Sequence, residues 1–355
     1  DLKTNTIFYS SEAKGYGGDV QISTNGSITT TGGAAVGILA QVVGGGGGLY
    51  GYKVGSTGGD GSSSTESSNG ILSILQNGSI NVSGKNATGI FAQNVVANSS
   101  NGNDINVTIN GSVNISGDGA TGVHFSGGSK NNVLTVMEGA SLSAETAVSS
   151  RTFGSNANDY QPVVVNNGTI TGKIDLIDDS ASAGAGTFTN NGTYFAGQTV
   201  KAIVNNNGSF YVGTQSSSSG MESTVHAVFL QSLTGRLIFD IFGNENHDTL
   251  NFIEGVTGQL QGDAIAMFDD GFAPGIGAEF TLFRGIESFT FVEEFLRAFK
   301  VEGLSDAYEW TATLGPEDSS INLLISVPEP ASFAFLVSLV AGFAAFGRRN
   351  TRRRN

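Results

Sequence analysis

The stretch Asn77-Gly78-Ser79-Ile80-Asn81-Val82-Ser83-Gly84-Lys85-Asn86-Ala87-Thr88-Gly89-Ile90-Phe91-Ala92-Gln93 decides how the chain is read. It opens on an Asn-Gly turn pair, runs through five residues of alternating polarity, and turns again at a glycine before a second apolar segment. In an extended strand the alternation puts Ile80 and Val82 on one face and Ser79 and Asn81 on the other. A unit this short cannot bury its apolar side alone, so it needs neighbours of the same kind.

Those neighbours are present. Residues 25–41 read NGSITTTGGAAVGILAQ and residues 110–125 read NGSVNISGDGATGVHF. The shared form is N-G-S-(I/V)-x-x-(S/T)-G-x-x-A-x-G-(I/V). Looser copies begin at Glu138-Gly139, Asn167-Gly168, Asn191-Gly192 and Asn207-Gly208. The spacing is irregular, so loops of different length are inserted between units. The Asn-Gly pairs are expected to supply the positive φ of tight turns. Parallel strands stacked about 4.8 Å apart would place Ile28, Ile80 and Val113 in one dry internal column. Asparagines recurring at one turn would form ladders along the outside. An antiparallel β-sandwich also has short strands and turns, but repeated turn-and-strand identity favours the solenoid.

Composition agrees with an all-β chain. Of 355 residues, 52 are glycine and 5 proline, with no three-residue glycine period, which excludes collagen. The absence of cysteine removes disulfide scaffolds, thiolate metal sites and cysteine nucleophiles together. Net charge is −14, yet five of the 17 basic residues are the arginines at 348, 349, 352, 353 and 354. Residues 1–327 carry 12 basic and 30 acidic groups, a balance of −18 that repels phosphate backbones and excludes nucleic acid as a partner. From about Glu222 phenylalanine rises and glycine recedes, which suggests a separate β-rich module. Val292 to Phe299 has apolar residues at 292, 295, 296 and 299, the spacing of a short amphipathic helix.

The C-terminal end carries a different signal. Residues 331–346 (ASFAFLVSLVAGFAAF) are apolar and uncharged, and would span about 24 Å as a helix. Before them stand Val327, Pro328, Glu329 and Pro330, and after them the cluster Arg348, Arg349, Arg352, Arg353 and Arg354. Prolines end a preceding strand and pre-set a helix start, while clustered arginines hold the cytoplasmic side of a membrane. This order resembles the PEP-CTERM sorting signal of exported Gram-negative bacterial proteins. The resemblance implies recognition of Pro328-Glu329-Pro330 by an exosortase-like membrane enzyme, with the helix and arginines as a transient inner-membrane anchor. It also implies an N-terminal signal peptide, so the chain, starting at Asp1, is read as a mature or truncated form. The final location expected is the cell surface, the outer membrane or the extracellular space.

Residues 20–212 resemble the β-helical passenger regions of autotransporters, in which such units are followed by glycine blocks like Gly44 to Gly48. The expected architecture is a right-handed parallel β-helix over 1–221. A β-rich capping module follows over 222–326, and the sorting segment, with one short transmembrane helix, over 327–355. At its C-terminal end the sequence departs from that resemblance, with the arginine tail in place of an outer-membrane barrel, so a passenger-like body with a different export route is expected.

Candidate chemistry is thin. Gly117-Asp118-Gly119-Ala120-Thr121-Gly122 satisfies G-x-G-x-x-G, but its sister copies GGAAVG and GKNATG do not, so it reads as turn chemistry. Gly58-Gly59-Asp60-Gly61 is a single calcium-repeat-like fragment. His124, His226 and His247 lack metal-ligand spacing. Asp178-Asp179 and Asp269-Asp270 are adjacent acids that would point to opposite faces of a strand, which suits solvated turns. No catalytic, cofactor-binding or metal-ligating set is assigned. The expected function is a structural or adhesin-like one, presenting a Ser/Thr/Asn-rich β-surface to extracellular polysaccharide or neighbouring surface proteins. Two alternatives are a polysaccharide lyase-like β-helix enzyme and a fragment of an autotransporter passenger.

Overall fold

The computed structural model describes residues 17–43, 49–50, 53–54, 69–96, 100–151, 161–177, 184–214, 218–316 and 319–327. The fold is all-β and built of parallel sheets, consistent with a β-solenoid. Each coil contributes to three stacks of strands. The first wall is a ten-stranded sheet among the described residues, beginning Val20–Thr24, Leu72–Gln76, Ile105–Ile109, Val133–Val136 and Val163–Asn166. The second wall begins Ser27–Thr31, Ser79–Ser83 and Ser112–Ser116, and the third Val36–Val43, Thr88–Val96 and Thr121–Gly127. From Ser141–Arg151 to Thr193–Lys201 single long strands serve both walls. The ladder bends between them at register irregularities near Ser143/Thr146 and Gly172/Ile174.

Register follows the repeat. Ile28 pairs with Ile80 and Ile80 with Val113, and the column runs on through Leu142, Ile170, Tyr194, Phe210 and Leu237. From Ile80 onward these side chains have no exposed surface. Toward the C-terminus aromatic rings replace the aliphatics. Phe188, Tyr194, Phe210, Phe229, Phe252 and Phe289 meet in sequence, with centroids 4.5–5.7 Å apart in edge-to-face or tilted pairs. Such pairs add specific geometry to a large apolar burial.

The Asn-Gly pairs have a different cause from the one the sequence suggests. Gly26, Gly78, Gly111, Gly192 and Gly208 are not among the positive-φ glycines. For Gly78, Gly111, Gly192 and Gly208 the constraint is close approach: a Cβ at Gly78 would overlap the carbonyl oxygen of Gly26, and one at Gly111 that of Gly78, whereas Gly26 has open space around it. Positive φ sits at the second turn, where Gly32, Gly84 and Gly117 share values of 124°, 136° and 122°.

The change of composition at Glu222 leaves the pairing unchanged. Parallel partners cross it, from Ser209–Tyr211 to Arg236–Gly243 and on to Asp263–Phe268 and Phe299–Glu302. Antiparallel pairing takes over where Glu279–Arg284 meets Ser320–Ser326, which pairs in turn with Glu309–Leu314. The helix expected over 292–299 occupies Val292–Arg297 and buries Phe295, while Phe299 has been drawn into a strand opposite Ala264.

A buried amide ladder runs under the first wall. Asn166 Nδ2 donates to Asn190 Oδ1 at 2.8 Å, Asn190 to Asn206 at 2.8 Å, and Asn206 to Gln231 Oε1 at 3.0 Å. Each second amide proton meets a main-chain carbonyl, those of Thr193, Ser209 and Arg236. The ladder therefore ties four successive turns between the first and second walls. Asn190→Leu would strand buried partners on both neighbouring coils, at about 1–3 kcal/mol for each group left unpaired. Thermal unfolding should show a clear loss for Asn190→Leu, whereas Asn191→Ala, on the solvent side of the same turn, should lie close to wild type.

Candidate interaction surface

The outward side of the repeat turns carries the second amide ladder. Asn77 Nδ2 donates to Asn25 Oδ1 at 2.8 Å and Asn110 to Asn77 at 2.7 Å. Farther along, Asn191 donates to Asn167 at 3.0 Å and Asn207 to Asn191 at 2.9 Å. The doublets Asn166-Asn167, Asn190-Asn191 and Asn206-Asn207 explain how both ladders coexist, since successive residues of an extended chain face opposite ways. The first asparagine turns inward and the second outward. Beside the outer ladder, on the second wall, Ser27, Ser79, Ser112, Ser141, Thr169, Thr193 and Ser209 stand in register as one hydroxyl column. Ser79 Oγ donates to Ser27 Oγ at 2.9 Å.

Gly117-Asp118-Gly119 sits on the same turn as Gly84-Lys85-Asn86 one coil away, and Lys85 Nζ lies 3.6 Å from the Asp118 carboxylate, both side chains well exposed. That is the turn chemistry expected of a repeat. Asp269 and Asp270 are exposed turn residues following Asp263–Phe268. Asp178, Asp179 and the Gly58–Gly61 fragment lie outside the described residues. Of the sorting segment only Val327 is described, partly exposed after the last strand. Pro328, Glu329, Pro330, residues 331–346 and Arg348, Arg349, Arg352, Arg353 and Arg354 also lie outside. No helix among the described residues is long and apolar enough to cross a membrane.

The three histidines fall in separate places: His124 in Thr121–Gly127, His226 after Glu222–Val225, and His247 in the short strand Asn246–His247. Among the described residues no three His, Cys, Asp or Glu side chains are grouped to hold a metal. His124 Nδ1 lies 2.7 Å from Ser149 Oγ on the next coil, and its ring stands 5.2 Å from that of Phe91. Burial, reinforced by Arg151, lowers its pKa to about 4.

Asp248 was not a sequence candidate, yet it is the most constrained acid described. Its carboxylate takes the N–H groups of Met221 and Asp240 at 2.8 and 3.0 Å, clipping Arg236–Gly243 to the start of Glu222–Val225. Burial pushes it up to about 6, against the opposing pull of those N–H bonds. Burial also raises Asp240, with Asp269 adding repulsion. Asp248 thus holds backbone together, and nothing in its sequence spacing announces it.

No protein-family model and no curated protein matches this chain.

A histidine whose folded pKa lies below its ordinary value stabilises the fold fully above about 6.5 and loses that contribution as pH falls toward 4. Comparing His124→Phe with wild type isolates this effect from the oppositely signed Asp248. The melting temperature of wild type minus that of the variant should be larger at pH 7.5 than at pH 4. A difference independent of pH would refute the assignment.

Proposed function

We propose that the chain is an exported cell-surface or extracellular-matrix protein with a structural, adhesin-like role, delivered by a C-terminal PEP-CTERM-type signal. The observation that carries the reading is the outer side of the stacked coils. It repeats asparagine amides and serine or threonine hydroxyls in register from coil to coil, as the second ladder and the hydroxyl column do. A surface of that regularity suits repeated weak contacts with a long partner, whose strength comes from multiplicity. The reading assigns no catalysis and no cofactor. Its finer architecture is a right-handed β-helix whose far end is covered by the strands of residues 279–326, followed by a membrane helix over 331–346.

Delivery is the testable part. An exosortase-like enzyme of the inner membrane would recognise Pro328-Glu329-Pro330, and the helix and Arg348, Arg349, Arg352, Arg353 and Arg354 would hold the chain until it is processed. Rigid, extended Val327-Pro328-Glu329-Pro330 could be bound without first unfolding a strand. Alanines at 328, 329 and 330 should leave export intact and strand the full-length chain in the inner membrane. The mass of the C-terminus recovered from the surface of an exosortase-bearing host reads this directly. An arginine tail still attached there would sink the sorting proposal.

A further inference from the structure

The outward face of the first wall carries no charge. Its ten strands, from Val20–Thr24 to Phe289–Thr290, contain no aspartate, glutamate, lysine, arginine or histidine. Residues 1–327 as a whole have a balance of −18, so the neutrality is a property of this face and not of the chain. Burial alternates along each strand. In Val133–Val136, Val163–Asn166 and Thr187–Asn190 the first and third residues are partly exposed and the second and fourth buried. The outward set is thus valine and threonine here, with Leu75 39% exposed nearer the N-terminus. Charges occur only at the border, where the Asp19 carboxylate takes the Ile71 N–H and Asp104 is held by Ser129 and Asn131.

Three properties of the face select its partner. It is neutral, so neither a polyanion nor a basic protein gains electrostatically from docking. It is narrow. At most two outward side chains on most strands, and one each on Phe229–Gln231 and Gly258–Gln259, over nine steps of about 4.8 Å, make a strip roughly 43 Å long. That offers on the order of 400–600 Å², less than the roughly 800 Å² per partner of a standard protein interface. A second copy of this chain would therefore be held poorly, whereas one linear polymer fits the shape. Finally, one edge is the outer asparagine ladder. An amide has two donor hydrogens and two acceptor lone pairs, and each ladder bond uses one of either kind. Donors and acceptors for a polyhydroxyl ligand remain at each asparagine rung, on either side of the one coil where exposed Met137 takes the asparagine position between Asn110 and Asn167.

We infer that the first wall and its asparagine edge bind a neutral, extended, β-linked polysaccharide chain lying along the stack of coils. A sugar unit in an extended β-1,4-linked chain is close in length to the inter-strand spacing of about 4.8 Å, so neighbouring sugars would meet neighbouring coils. Apolar ring faces would lie on the valine and threonine methyl groups, and edge hydroxyls would meet the amides. The assignment rests on the surface-protein reading above and names the ligand class and face for it.

The test is co-sedimentation of the full chain with swollen cellulose, chitin and insoluble β-1,4-mannan, with soluble alginate as the polyanionic competitor. Wild type should sediment with at least one neutral polymer, with little dependence on salt and no displacement by alginate. The double variant Thr135→Lys/Thr189→Lys should weaken binding at least tenfold, its lysines two coils apart and outward, with circular dichroism unchanged. Thr224→Lys, on the third wall, should bind as wild type does. Binding to none of the three polymers, displacement by alginate, or wild-type affinity in a folded double variant would each overturn the assignment. So would a double variant that loses self-association but keeps its glycan affinity. The C-terminal mass measurement is independent of all these outcomes, so failure of the ligand assignment and failure of the delivery proposal are distinguishable.

Discussion

Among the described residues, successive coils as far as Phe299–Glu302 hydrogen-bond to one another through parallel strands, and that pairing sets the terms for each residue. A side chain in one coil has its equivalent about 4.8 Å above and below, facing the same way. Whatever one coil buries, its neighbours must bury beside it. The Ile28–Ile80–Val113 column, the aromatic chain from Phe188 to Phe289 and both asparagine ladders are four answers to the same demand. Apolar columns satisfy it by packing. Amides satisfy it by offering a donor on one side and an acceptor on the other, so the desolvation cost of a buried polar group is offset when the next coil carries its partner.

The same constraint explains what could be read from sequence. The inward column was legible because two-residue alternation survives in each copy, and the outer ladder because its asparagine always precedes a glycine. The inner ladder was not. Asn166, Asn190 and Asn206 occupy the inward register where Ile109 and Val136 stand in earlier coils, and a lone polar residue there reads as a break in the pattern. Only the doublet Asn-Asn-Gly, repeated three times, could have revealed it. The glycines of these turns were recognised for the wrong reason. Residue identity does not separate a need for positive φ from a need for close approach, and the carbonyl of the preceding coil decides for the latter.

Beyond residue 222 the pattern was hardest to follow. Phenylalanine fills the inward positions there, so the shift in composition resembled a boundary although the strands keep their parallel partners to Glu302. Helical spacing at 292, 295, 296 and 299 was partly overridden for a tertiary reason, because pairing with Ala264 holds Phe299 in a strand. Surface chemistry was legible only in kind. Threonine, serine and asparagine were visible as abundant, but their segregation onto a wall without charge appears only when the strands are stacked. Asp248 could not be found at all, since its N–H partners lie 27 and 8 residues away.

Stacking in register is the claim on which the surface and its proposed ligand both depend, and the absence of cysteine makes it directly measurable. Spin labels on cysteines introduced at Ser27 and Ser209 would sit six steps apart in one column, roughly 29 Å between attachment points. Labels at Ser27 and Asp263 would sit eight steps apart, roughly 38 Å. Pulsed electron–electron double resonance should therefore give distances that grow linearly with the number of coils. Equal distances, or a shorter one for the pair farther apart in the column, would mean that the chain folds back on itself and would contradict the stacked-coil account.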